Sequence, residues 1–185
     1  IAKLCDEARR FNVAAACFSP SLLPLPAVLI AELANGDIKI ACVIGFPSGA
    51  HSGEVKAFEA RHATQNGATE IDMVVNLGFV FSANWLELGD EIAQVRAAIP
   101  AKTCLKVIIE SAALTDAQIV TVCRVAVANG ANFVKTSTGF HKSGGATTQA
   151  VKLMRATVGD SIGVKASGGI RTRQAALEMI DAGAT

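Results

Sequence analysis

Three charged residues of the 185-residue chain stand inside otherwise apolar runs. Asp72 lies in Ile71-Asp72-Met73-Val74-Val75, Lys135 in Phe133-Val134-Lys135-Thr136-Ser137-Thr138-Gly139, and Lys165 in Gly163-Val164-Lys165-Ala166-Ser167-Gly168-Gly169. A buried charge is costly unless it is paired. Two lysines and an aspartate from neighbouring strands could therefore share one site, with Asp72 offsetting one lysine and the second lysine beside a like charge. Desolvation and like charge both lower a lysine's pKa, and a neutral amine is what a Schiff-base nucleophile must be. The competing reading is that each lysine ends a strand and carries its ammonium out to solvent. That suits a single lysine; two on adjacent strands with an acidic partner favour chemistry. Lys106, in Leu105-Lys106-Val107-Ile108, competes as nucleophile, but it lies near the start of its run and reads as structural or supporting.

Glycine-rich turns follow both lysines. Gly168-Gly169 leads into Ile170-Arg171-Thr172, a strand–turn–helix junction where backbone can approach an anion, free N–H groups of the next helix face it, and Arg171 adds charge. A plain tight turn with a solvent-facing arginine fits these residues equally well. Gly139 and Gly144-Gly145 form a second such loop, which wraps substrate or is simply flexible. His51, His62 and His141 have no metal-ligand spacing, so no metal site is expected. There is no nucleophile elbow for a serine triad.

The elements that must position these residues alternate between strand and helix. Strands are expected over Val13–Ser19, Ile38–Phe46, Glu70–Asn76, Cys104–Ser111, Asn132–Ser137 and Gly163–Ser167. Most are continuous apolar runs, as for parallel strands covered by helices. Helices are expected from Ile1 to about Arg10, after Ser52 to about Asn66, over Trp85–Ala98, over Asp116–Ala128 after Thr115, from Thr147 or Thr148 to Val158, and from Thr172 to Ala182. Asn66-Gly67-Ala68 and Asn129-Gly130-Ala131 each precede a strand. They stand two βα units apart, at about 30 residues per unit, and each Gly is expected to end a helix in a left-handed residue. Ala182-Gly183-Ala184 repeats the signature, so one further strand is expected beyond Thr185 and one before the first helix. Eight strands make a TIM (β/α)8 barrel, whose active site lies at the C-terminal strand ends. On this reading residues 1–185 are one barrel domain lacking its first and last strands. A doubly wound sheet is the alternative, but no Gly-x-Gly-x-x-Gly turn follows the first strand.

Composition narrows the function further. Hydrophobic residues make up 51% and charged residues 18%, with formal net charge +1, which fits a globular domain without the basic field of a nucleic-acid binder. With no tyrosine and one tryptophan, a base-stacking platform is not expected. No apolar run has the length of a membrane helix. Cys5, Cys17, Cys42, Cys104 and Cys123 form no Cys-x-x-Cys pair and read as reduced core thiols of a cytoplasmic protein.

Several segments carry a family resemblance. Asn12 to Pro24 (NVAAACFSPSLLP), Ala41 to Gly49 (ACVIGFPSG), EIDMVVN at Glu70–Asn76, LKVIIE at Leu105–Glu110, FVKTSTG at Phe133–Gly139 and GVKASGGIR at Gly163–Arg171 together resemble the bacterial deoxyribose-phosphate aldolase family. The resemblance implies reversible cleavage of 2-deoxy-D-ribose 5-phosphate to D-glyceraldehyde 3-phosphate and acetaldehyde, in deoxyribose phosphate catabolism, without cofactor or metal. It assigns the imine to Lys135, pKa depression and proton movement to Lys165, and an acid/base partnership with Lys165 to Asp72. Cys17, Thr138 and Gly139 would border the substrate, and Gly168, Gly169 and Arg171 its phosphate. A small phosphorylated sugar or aldehyde is then the partner, with no nucleic acid or membrane, and a homodimer is the expected assembly. The alternatives are another Schiff-base sugar-phosphate aldolase and an inactive truncated barrel. Where some relatives carry a lysine after STG, this chain has Phe140, with Lys142 two residues on as the candidate substitute.

Overall fold

A computed structural model describes residues 1–185. In chain order the elements are α1 (Ala2–Arg10), β1 (Ala15–Phe18), α2 (Ala27–Asn35), β2 (Lys39–Ile44), α3 (Gly53–Gln65), β3 (Glu70–Val74), α4 (Leu77–Phe81), α5 (Trp85–Ala98), β4 (Cys104–Ile108), α6 (Asp116–Ala128), β5 (Phe133–Lys135), α7 (Thr148–Val158), β6 (Gly163–Lys165) and α8 (Arg173–Asp181). The six strands form one parallel sheet in sequence order. This is the architecture of an α/β barrel arc, each strand returning to the next through a helical layer.

Side chains alternate across the strands. Cys42, Ile44, Ile71, Met73, Leu105, Val107, Val134 and Val164 join the main hydrophobic core, together with Ala60, Leu88, Ile92, Val122, Ala126 and Met154 from the helices. The other face takes the intervening residues, among them Asp72, Lys106, Lys135 and Lys165. The apolar runs read as unbroken in the sequence therefore do alternate in space, and the charges fall on the inner face. The sheet must curl around that face. Asp72 and Lys165 lie three strand spacings apart, about 14 Å across a flat sheet, yet their side chains hydrogen-bond at 2.8 Å.

Helix starts follow their caps. Ser52 accepts from Val55 N, Thr147 from Ala150 N and Thr172 from Ala175 N, while Thr115 and Gln118 form a reciprocal capping box. The helix-ending glycines Gly67, Gly130 and Gly183 take φ of 100°, 87° and 109°, the left-handed region that a side chain disfavours. Two helices depart from expectation. α2 begins after Pro26 with no side-chain cap, so it carries no start signal; α4 is one short turn opened by the Asn76 side chain on Gly78 N. β5 and β6 are three residues each, shorter than expected, because the chain leaves regular pairing after each lysine.

Candidate active site

The strand register sets up a charged cluster on the inner face. Asp72 pairs in register with Lys106, and Lys135 with Lys165. Asp72 is fully buried and accepts from three ammonium groups: Oδ2 from Lys135 Nζ at 2.7 Å and Lys165 Nζ at 2.8 Å, and Oδ1 from Lys106 Nζ at 2.9 Å. Glu70 closes the lower end through Lys106 Nζ. The lysine side chains differ in exposure, 6% for Lys106, 9% for Lys135 and 33% for Lys165.

The electrostatics separate the two buried lysines. Burial holds Lys135 below the ordinary lysine pKa; Asp72 opposes this and the charge of Lys165 adds to it. Burial also penalises the charge of Lys106, but Asp72 and Glu70 outweigh it, so its pKa lies above the ordinary value. Burial of Asp72 favours its neutral form, and the three lysines overcome that, so its carboxyl titrates well below the usual range. The site thus presents one amine biased towards its nucleophilic form beside a carboxylate that the three lysines favour in its ionised form. Lys106 takes the supporting place expected of it, as a partner of Asp72. It lies level with Phe133, two residues below Lys135, and its side chain reaches the cluster through Asp72.

The strand ends above the cluster are laced together. Ser167 N donates to Thr136 Oγ1 at 3.0 Å, and Ser167 Oγ to the Ser137 carbonyl at 2.6 Å. Ala146 N donates to the carbonyls of Ser167 and Gly168, both at 3.1 Å. The two glycine-rich loops touch through backbone: a Cβ on Gly145 would lie 2.2 Å from the Gly168 carbonyl oxygen. Gly139, Gly168 and Gly169 take φ of 83°, 84° and 82°. Arg171 is exposed ahead of α8, and Cys17 is exposed on the inner side of β1, opposite the core-facing Ala16 and Phe18.

Glu110, just past β4, is a further candidate for the site, not singled out in the sequence, although it ends an apolar run as Asp72 interrupts one. It is buried in the left-handed region at φ 54°, ψ 54°, and its carboxylate accepts from Thr138 N and Thr138 Oγ1. Pro47, Ser48, Leu77, Glu110, Thr138, Phe140 and His141 line a cavity of about 220 Å³. The Phe140 ring meets Phe46 edge to face, centroids 5.4 Å apart. No group of three or more His, Cys, Asp or Glu side chains converges to hold a metal ion. No helix is long and apolar enough to cross a membrane.

Comparison with known proteins gives one consistent answer. Residues 1–185 match the sequence profile described as the DeoC/LacD family aldolase. The deoxyribose-phosphate aldolase of Kocuria rhizophila is 55% identical over 185 residues, covering 100% of this chain and 82% of that protein. That of Nocardia farcinica is 51% identical, with 100% and 80% covered. The solved tetrameric deoxyribose phosphate aldolase of Aeropyrum pernix superposes with a TM-score of 0.82 at 30% identity, over 98% of this chain and 75% of that one.

Proposed function

From the premise that the chain belongs to the DeoC/LacD aldolase family, we propose that it cleaves 2-deoxy-D-ribose 5-phosphate reversibly to D-glyceraldehyde 3-phosphate and acetaldehyde. The observation that carries this is the buried Lys135, held below the ordinary lysine pKa and sharing one oxygen of Asp72 with Lys165. Relatives named for this activity share about half of their residues with the chain over its whole length.

Neutral Lys135 Nζ adds to C1 of the open-chain sugar. Loss of water from the adduct gives an iminium. A base accepts the C3 hydroxyl proton, the C2–C3 bond breaks, and its electron pair moves into the iminium to form an enamine. D-glyceraldehyde 3-phosphate leaves; the enamine takes a proton on C2, and water releases acetaldehyde and restores the amine. Asp72 and Lys165 are the acid/base pair placed for these transfers, because one oxygen of Asp72 already contacts both nitrogens. Thr138, Gly139 and Cys17 border the sugar, and Gly168, Gly169 and Arg171 hold its phosphate, where glycines admit close backbone approach. Five free cysteines suit a reducing compartment, and we place the protein in the cytoplasm. We assign it a homodimer, which sedimentation would test against the tetramer named for the Aeropyrum pernix relative.

Incubation with acetaldehyde, borohydride reduction and peptide mass mapping test the reading. A reduced two-carbon adduct on Lys135, with release of acetaldehyde from 2-deoxy-D-ribose 5-phosphate, is expected. An adduct elsewhere, or none on folded protein, would overturn it.

A further inference from the structure

A second buried ion pair lies outside the charged cluster, between the helices that cover β2 and β3. Lys56 of α3 and Glu91 of α5 have side-chain exposures of 0% and 2%, with Nζ 2.7 Å from Oε2. Burial drives both groups towards neutrality, lowering Lys56 and raising Glu91, each opposed by its partner. Such a pair is a poor source of stability compared with apolar packing of the same volume. Its second contact suggests why it is here: the other oxygen of Glu91, Oε1, accepts from Asn76 N at 2.8 Å. Val75 N still donates to Ile108 O in the ladder at 3.1 Å, but Asn76 N has left it.

The peptide linking Val75 to Asn76 is fixed from both sides. Its N–H is held by Glu91, and its carbonyl lies under Gly49, where a Cβ would come 2.0 Å from Val75 O. A similar contact steadies the other loop: Glu59 Oε2 accepts from Gly45 N at 2.7 Å, and the Lys56 stem packs against Gly45. Pro47 and Ser48 on one loop, and Leu77 on the other, line the cavity that Glu110 and Thr138 also border.

We propose that Lys56 and Glu91 are positioning residues for the aldolase reaction: they never meet substrate, but lock the Val75–Asn76 peptide and so hold the two loops that form one wall of the pocket. This rests on the aldolase reading. Glu91 does the holding, and Lys56 compensates the charge that Glu91 would otherwise bury alone.

The test compares two double variants of the full protein. Lys56→Met with Glu91→Leu replaces the pair by apolar groups and removes the acceptor; Lys56→Met with Glu91→Gln removes the charges but keeps an amide oxygen for Asn76 N. Asn76 amide hydrogen exchange and KM for 2-deoxy-D-ribose 5-phosphate are measured in both. The leucine variant is expected to exchange Asn76 about 10- to 100-fold faster, the loss of one charge-assisted hydrogen bond, and to raise KM more than it lowers kcat. The glutamine variant should restore most of both. Wild-type exchange and KM in the leucine variant, or equal impairment in the two variants, would overturn the proposal. If the leucine variant does not fold, the wild type still decides: an unprotected Asn76 amide defeats the idea and a protected one supports it. The exchange readout needs no turnover, so failure of the aldolase reading would show separately, as wild-type protein without cleavage activity.

Discussion

Lys135 and Lys165 direct their ammonium nitrogens at a single oxygen, Oδ2 of Asp72, from 2.7 and 2.8 Å. Burial is the first cause that keeps Lys135 below the ordinary lysine pKa, and the like charge of Lys165 beside it adds to that.

Removing that charge has a signed consequence. In Lys165→Met the pKa of Lys135 rises, so the pH dependence of borohydride trapping with acetaldehyde shifts to higher pH. Trapping survives, while sugar cleavage falls sharply because proton transfer loses its partner. An unshifted trapping profile would show that the two ammonium groups do not interact.

Asp72→Asn tests the cluster as a structural unit. The folded pKa of Asp72 lies below the unfolded value of about 3.9. Its carboxylate therefore contributes stability that is complete above that value and is lost as pH falls through the folded pKa. The asparagine variant leaves three converging lysines without this anion, and a loss of about 3–5 kcal/mol at pH 7 is expected. Urea unfolding across pH measures it. A variant as stable as wild type at pH 7 would refute the ion-paired geometry.

Gly145→Ala should injure phosphate handling selectively. The added methyl meets the Gly168 carbonyl and pushes the two glycine-rich loops apart. A fall of about 10- to 100-fold in kcat/KM for the phosphorylated sugar is expected, as for misplacement on the scale of 1 Å. Activity on unphosphorylated 2-deoxyribose should fall much less. Equal losses on both substrates would remove the phosphate assignment.

At Glu110 two effects oppose each other. Glu110→Ala forfeits charge-assisted hydrogen bonds to Thr138 and keeps a side chain at φ 54°, for a stability loss of about 1.5–3 kcal/mol. Glu110→Gly forfeits the same bonds but relieves the left-handed strain, so it should be the more stable of the two by about 1 kcal/mol. Chemical denaturation ranks them; the reverse order would show that the strain is not stored there.

Much of this arrangement was legible in the chain because it depends on local signals. Ser52, Thr115 and Thr172 marked helix starts that their side-chain hydrogen bonds fulfil, and Asp72, Lys135 and Lys165 stood out because charge inside an apolar run is expensive. What stayed hidden depends on register and packing between distant segments. Lys106 is expected in a supporting role, but that its partners are Asp72 and Glu70 depends on the register that puts it abreast of Asp72. Lys56 and Glu91 look like ordinary polar positions on helices, and only the packing of α3 on α5 buries them. α2 follows a proline without a side-chain cap, so no residue announces it.

The sheet pairs its strands in sequence order, while the link from Asp72 to Lys165 spans 93 residues. Neighbouring strands are therefore joined by comparatively local connections, one βα unit of roughly 30 residues each, whereas the full cluster closes only when β3 and β6 are both in place. In the unfolded chain Lys135 is an ordinary solvated lysine, protonated and slow to condense with aldehydes. Reactivity at Lys135 is thus a property of the folded site that buries it and not of the residue itself.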